Sequence, residues 1–428
     1  MHTRRSLLVR VTAVVVTSGL LSAAGGSVWP FLILYLHFSR HISTPLAGTI
    51  VATEGFATLG GALIGGVLVD RFGARNTAIT GTAAEVFGYL LVFLARSAPL
   101  FFAASLVFGF SNLRYSARNV ATSNALPPNL PATKFFSYDF MASNAGFAIG
   151  TLTGGLLINL HRSSTFLHLL VIGMVCSVLA TAAFTLLPDD RHVSEHPTEP
   201  SYREALHDPR LRRYLAFTVL LSFTSYASFD TGIPALVGIA LHQPPQVIAI
   251  GFVINPILIV LLQRPIYGLV KRLGFRRTLR LTAMLFGVAW LVLMATAFSH
   301  TTAIVLIALA SFAALFGFAE MCYSPIRTPV LLALAPERLR GRYFGLSQFS
   351  RAIANVIGPV TATEAVGHGL SYLWLGGLFA LGSLNAASAN RLGHQVEAAH
   401  DAGSTESGSG SASPANVRPI LPNLPTEE

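Results

Sequence analysis

Apolar runs of about 20 residues alternate with short polar breaks along nearly the whole chain, and about 20 is the length that carries a helix across a bilayer. Twelve such runs can be read, at 12–37, 45–68, 77–95, 99–118, 135–159, 165–187, 214–236, 247–270, 279–298, 302–328, 343–366 and 370–389. The pattern predicts an all-α membrane protein with twelve transmembrane helices. Breaks such as Arg96–Pro99 and His161–Ser164 leave room only for tight turns. Thr44 and Pro45 suit the cap and first position of the second helix.

The later half of each six-helix set repeats. Residues 108–150 recur at 316–358 without a gap, always 208 positions apart. Phe108-Gly109-Phe110 returns as Phe316-Gly317-Phe318, Tyr115-Ser116 as Tyr323-Ser324, and Ile149-Gly150 as Ile357-Gly358. Two related membrane halves are a common build for secondary transporters. The expected organisation is a six-helix bundle at 1–187, a cytoplasmic linker at 188–213, and a second, pseudo-twofold-related bundle at 214–390. Residues 391–428, rich in Ser, Gly, Pro and Glu, read as a disordered cytoplasmic tail.

Composition agrees, with 52% hydrophobic and 11% charged residues among 428, against roughly 25% charged in a soluble domain. The net charge of +10 comes from short clusters between apolar runs, so it is no nucleic-acid footprint. Those clusters set orientation. The connections after the odd-numbered helices hold only Arg40, Arg96 and Arg162, whereas the other side holds twenty-one basic residues, Arg71, Arg75, Arg276 and Arg277 among them. The positive-inside rule then places both termini in the cytoplasm of a cell-membrane protein. Thr3-Arg4-Arg5-Ser6-Leu7-Leu8 looks like a twin-arginine signal, but removing it would leave the first half a helix short. It is read as a basic flank. Cys176 and Cys322 lie singly in apolar runs, and the histidines have no ligand spacing, so no metal is expected. No phosphate-binding Gly-Lys-Ser/Thr loop is present. No cofactor and no enzymatic activity are expected, and an ion gradient or the solute's own gradient must supply the energy.

One loop carries a family signature. Gly66-Val67-Leu68-Val69-Asp70-Arg71-Phe72-Gly73-Ala74-Arg75 resembles the loop between the second and third helices of the major facilitator superfamily. Tyr267-Gly268-Leu269-Val270-Lys271-Arg272-Leu273-Gly274-Phe275-Arg276 is its decayed copy, with Lys271 in place of the Asp. The resemblance covers 10–390 and implies a twelve-helix fold working by alternating access. It implies an inner gate at Gly66, Asp70, Arg71, Gly73 and Arg75, with Arg118 as a partner for Asp70. Gly146, Gly150, Gly154 and Gly155 resemble the glycine motif of the family's antiporters, with Thr151 replacing its proline, and Gly358-Pro359 is the second-half counterpart. Such glycines let helices touch closely. Gly317-Phe318-Ala319-Glu320, Ala335-Pro336-Glu337 and Arg340-Gly341-Arg342-Tyr343 resemble one drug/proton-antiporter-like exporter subgroup. Against this, the helix-4 motif has Ser105 where the family has Arg, and the first helix lacks a carboxylate.

A charge within the bilayer is costly, so each one is a functional candidate. The carboxylates are Glu54, Glu85, Asp230, Glu320 and Glu364; the arginines are Arg114, Arg118, Arg264, Arg327 and Arg351. Asp230 is expected near the outer end of its helix, and Glu85 beside Glu54. The resemblance implies that helices 1, 4, 7 and 10 line the cavity, which places Trp29, Asn112, Arg114, Tyr226 and Tyr323 around a solute. An Arg114–Glu320 pair across the halves is then expected, either coupling to protons or only fixing helix register. Glu320, then Glu54, are the proton-coupling candidates. The expected function is proton-coupled export of a small amphipathic organic compound by a monomer in the lipid bilayer. A facilitator or importer of a polar metabolite and a non-transporting scaffold or receptor are the alternatives.

Overall fold

The computed structural model describes residues 2–26, 28–115, 117–118, 121, 132–160, 162–187, 202–298, 301–336 and 339–406; the side chains of Gly66 and Asp70 lie outside that description. No strand occurs among the described residues. Helix α1 is His2–Gly26, prolonged by Trp29–Leu34 and a π-helical turn at Tyr35–Ser39. Helices α2 and α3 share the stretch Thr44–Leu94, α4 opens with Ala98–Ser111, α5 is Ala132–Leu157 and α6 is Ser163–Phe184. Helix α7 is built from Pro209–Thr224, Tyr226–Pro234 and a π-helical turn at Ala235–Ala240. Helices α8 and α9 share Pro245–Leu293, α10 is Thr302–Leu334, α11 is Arg340–Gly367 and α12 is Ser371–Glu406. These are the twelve predicted spans in two halves.

Two glycines make the tightest connections. Gly73 (φ 82°) and Gly274 (φ 73°) fold α2 onto α3 and α8 onto α9 with almost no loop. That backbone region is open to glycine and strained for nearly every other residue. The signature loop therefore owes its Gly to geometry.

The halves match in finer detail than the sequence repeat alone. Each π-helical turn precedes a positive-φ histidine, His41 (54°) and His242 (51°), 201 positions apart like Gly73 and Gly274. Helices α1 and α7 are each interrupted a turn or more before those π turns, and an interruption strips carbonyls of their helical partners. Tyr89 Oη of α3 donates to the Gly25 carbonyl (2.8 Å), and Trp290 Nε1 of α9 donates to the Thr224 carbonyl (2.6 Å). Tyr89 and Trp290 are again 201 apart. The change from a 201 to a 208 spacing falls in the α9–α10 connection, which carries an extra 3-10 turn at Met294–Ala297.

Between the halves, described contacts gather at the end of the bundle away from the chain termini. There Gly48 of α2 abuts Thr363 of α11, Pro45 abuts Gly367, Gly155 of α5 abuts Ala249 of α8, and Gly238 of α7 abuts Leu34 of α1. Nearer the termini, Tyr115, Tyr226 and Gln348 are exposed. The described contacts close the molecule at its far end.

Two boundaries differ from expectation. Helix α7 starts at Pro209, not 214, because the Asp208 carboxylate caps it by accepting from the Arg210 amide (2.7 Å). The linker also holds a short helix, Tyr202–His207, tied to α11 by the Tyr343 hydroxyl on the Asp208 carboxylate and by the Arg342 guanidinium 4.4 Å over the Tyr202 ring. Helix α12 continues past 390 to Glu406, correcting the tail expected from 391. Leu392 and Val396, one turn apart, are buried, and Glu397 accepts from the Arg276 amide (3.3 Å). Residues 188–201 and 407–428 lie outside the described residues.

Candidate functional site

The first half encloses its charges in pairs. Glu85 of α3 and Arg114 of α4 form an ion pair at 2.9 Å with side chains 2% and 6% exposed. Arg114 also donates to Ser111 Oγ (2.8 Å), and Ser177 of α6 donates to the other Glu85 oxygen (3.0 Å). A buried pair is tolerable only when its partners and remaining lone pairs are satisfied, as these mostly are. Arg114 is thus held by its own bundle and does not pair with Glu320, and Glu85 pairs with Arg114 instead of sharing a proton with Glu54. The expectation failed because α3 and α4 are neighbours in the hairpin, so the nearest opposite charge lies inside the half.

A second pair lies nearer the termini. Arg118 is engaged by the Asp139 carboxylate of α5 and by the Val15 carbonyl of α1 (3.3 Å). Asp139 was absent from the expected carboxylates, although its position inside the fifth apolar run was signal enough. Arg71 is exposed, and Arg75 is half-buried with Nε unbonded. Asn112 donates to Thr58 Oγ1 (2.9 Å), linking α4 to α2. Trp29 stands edge-on to Phe108, ring centroids 4.4 Å apart, so its ring packs within the first half. Gly146 meets the Leu20 carbonyl of α1, Gly154 meets the Phe31 ring, and Gly155 reaches across to α8. Gly150 is half-buried and Gly358 buried.

The second half arranges its charges differently. The Glu320 carboxylate of α10 accepts from the Tyr226 hydroxyl of α7 and from Asn255 Nδ2 of α8 (3.4 Å), with no cation paired to it among the described residues. Gly317 packs on Asn255 just as Gly109 packs on the backbone of Glu54, so Asn255 and Glu54 occupy matching places. Glu320 in turn matches Asn112 through the 208-residue repeat. Carboxylate and amide are therefore exchanged between α2/α4 and α8/α10. Tyr323 and Arg327 follow Glu320 at helical spacing on the same face of α10. From α11, Gln348 Oε1 accepts from Arg327 Nη2 (3.1 Å) and from Arg351 Nη1 (3.2 Å). Neither arginine has a carboxylate partner among the described residues. Two guanidinium charges that share one neutral acceptor repel each other.

Glu320 reaches Asn255, the counterpart of Glu54 in the second half. Asp230 lies ten residues from the far end of α7, and Glu54 lies ten from the far end of α2. At 1.5 Å per residue both sit about 15 Å deep. Asp230 therefore belongs with the interior group and not with the helix end.

A bundle of twelve helices in two matched halves, closed at one end around such a group, is the architecture of an alternating-access membrane transporter. The chain belongs to the Major Facilitator Superfamily, whose family model matches residues 14–359. It is similar to a Na(+), Li(+), K(+)/H(+) antiporter of Planococcus maritimus, 23% identical over 82% of this chain and 88% of that one. It is also similar to the multidrug resistance protein MdtH of Yersinia enterocolitica, 24% identical over 73% of this chain and 76% of that one. A POT family transporter solved with 5-aminolevulinic acid has the same fold, with a TM-score of 0.73 at 14% identity over 90% of this chain and 96% of that one. The chain is a membrane transporter of this superfamily, not an enzyme.

Proposed function

We propose that the protein is a monomeric, proton-coupled exporter of a small amphipathic organic compound in the cell membrane, with both termini in the cytoplasm. The carrying observation is Glu320, held on α10 by a hydroxyl of α7 and an amide of α8 and by no cation among the described residues, with Glu54 and Asp230 at matching depths in the two halves. A carboxylate in such a place can bind a proton in one state and lose it in another, because alternating access changes its exposure and its partners. The antiporter and multidrug resistance relatives support exchange and export. On this reading the form closed at the far end is the inward-facing one. Tyr226 and Tyr323 line the solute's path, and the loop from Gly66 to Arg75, with Asp70 at its centre, closes the inner side in the opposite state.

Glu320→Gln in proteoliposomes tests the coupling. The variant mimics the protonated form; it is expected to bind amphipathic fluorophores and exchange them downhill, but not to concentrate them under a pH gradient. Normal accumulation would leave Glu320 structural and make Glu54→Gln the deciding variant. Orientation is tested separately. A cysteine placed in the 188–213 linker should react with an impermeant thiol reagent only in opened cells, and labelling of sealed cells would invert the map.

A further inference from the structure

We propose that the cavity recognises an acidic group on its solute, a carboxylate, sulfonate or phosphonate, between Arg327 and Arg351. The inference rests on the transport reading above and adds the solute's charge. Both guanidiniums donate to one amide oxygen, that of Gln348, so their bonding nitrogens lie no further apart than those two bonds laid end to end. An amide oxygen carries no net charge, and neither arginine meets a carboxylate among the described residues. The remaining donors of two planar forks suit a planar or tetrahedral oxyanion in bidentate contact.

Placement directs the cluster inward. Gln348, Arg351 and Asn355 follow one face of α11, and the Asn355 backbone abuts Gly55 of α2 in the other half. On α10, Arg327 lies two turns from Glu320 on a shared face, with Tyr323 between them. Tyrosine rings beside the arginines offer an apolar surface for an aromatic or aliphatic body. Among the described residues the first half has no such feature: Arg114 and Arg118 are each neutralised by a carboxylate from a neighbouring helix. Under the proposed orientation, exchange of a monovalent organic anion for one proton moves two positive charges inward, the direction a negative-inside potential favours.

The test uses the full chain in phosphatidylcholine nanodiscs, free of anionic lipid. Binding is measured for 2-naphthoate, naphthalene-2-sulfonate and naphthalene-2-phosphonate, each against its uncharged amide. At least one acid should bind tenfold or more tighter than its amide, and that preference should vanish in Arg351→Gln and Arg327→Gln. Gln348→Glu separates recognition from folding. It seats a carboxylate between the arginines, so it should abolish acid binding while raising the unfolding temperature. Acids that bind no better than amides, or an acid preference unchanged in Arg351→Gln or Gln348→Glu, would overturn the proposal. A second arm adds anionic lipid; if only anionic lipid, and no acid, shifts the unfolding temperature through the arginines, the site holds a headgroup and the solute proposal fails. Flux in proteoliposomes keeps the two readings apart. Acid transport that is equal in wild type and Arg351→Gln sustains transport and sinks the anion; arginine-dependent acid binding without flux does the reverse.

Discussion

The two halves share a backbone plan and divide its chemistry. In the first, each buried cation in the bundle meets a carboxylate from the next helix: Arg114 with Glu85, Arg118 with Asp139. In the second, the position of Arg114 is Cys322 and that of Asp139 is Ser347, so both pairs are dissolved. What remains among the described residues is a carboxylate, Glu320, without a cation, and two arginines without carboxylates. Neutralised pairs stiffen a bundle, while uncompensated charges wait for a proton or a ligand. Under the proposed function the first half is the frame and the second is the half that senses its cargo.

The sharpest way to break that contrast is to remove one arginine from each half. Arg114→Gln strands Glu85 without its cation in a nearly dry site, which is expected to cost about 3–5 kcal/mol and to cut the yield of folded protein. Arg351→Gln takes one of two repelling charges away and should leave the unfolding temperature unchanged or raised. Thermal unfolding in a single detergent compares them directly. Equal losses would show that the second-half arginines are structural too.

How much of this was legible beforehand follows the same division. Helix number, the two halves and the glycine hinges were readable, because span length, the 208-residue repeat and the Asp-Arg-x-Gly loop are all local in sequence. The pairing of charges was not. Glu85 lies 29 positions before Arg114, in the adjacent helix, and nothing in the chain states which helix face either occupies. Helical spacing alone made Glu320 an equal rival for Arg114. The exchange of Glu54 and Asn255 needed the 201-residue spacing of the paired loops at 66–75 and 267–276 to be carried back along α2 and α8, which the positive-φ histidines and the Gly73 and Gly274 hinges establish. Asp230 was misplaced because helix α7 runs on through its π-helical turn to Ala240, beyond the expected end at 236, which sets Asp230 ten residues from the far end.

A second, smaller break concerns the signature loop. Lys271 stands in the second half where Asp70 stands in the first. If the acidic copy holds a facing helix end and an arginine in the closed state, Asp70→Asn should leave folding near normal and slow transport several-fold. The population should shift toward the form open at the terminal end, read as longer spin-label distances across that face. Lys271→Asn should change neither rate nor distances comparably. Matching effects at both sites would reduce the asymmetry to surface charge.

The smallest expected effect sharpens the symmetric side of the comparison. Tyr89 and Trp290 are fully buried and perform the same task, each donating to a carbonyl exposed where α1 or α7 is interrupted. Tyr89→Phe removes only the hydroxyl; Trp290→Phe removes the N–H along with some volume. Each leaves a buried carbonyl without this donor, a loss of about 1–3 kcal/mol, with a further increment at Trp290 for the smaller ring. The two interruptions are also the places where α1 and α7 can bend, so loosening them should affect exchange between states as well as stability. Unfolding temperature should fall modestly in both variants, and the rate of opening at the far end, followed by labelling of a cysteine at position 34 or 238, should rise in both. Should only one variant respond, the two interruptions do not work as a matched pair of hinges, and the halves would differ in motion as well as in charge.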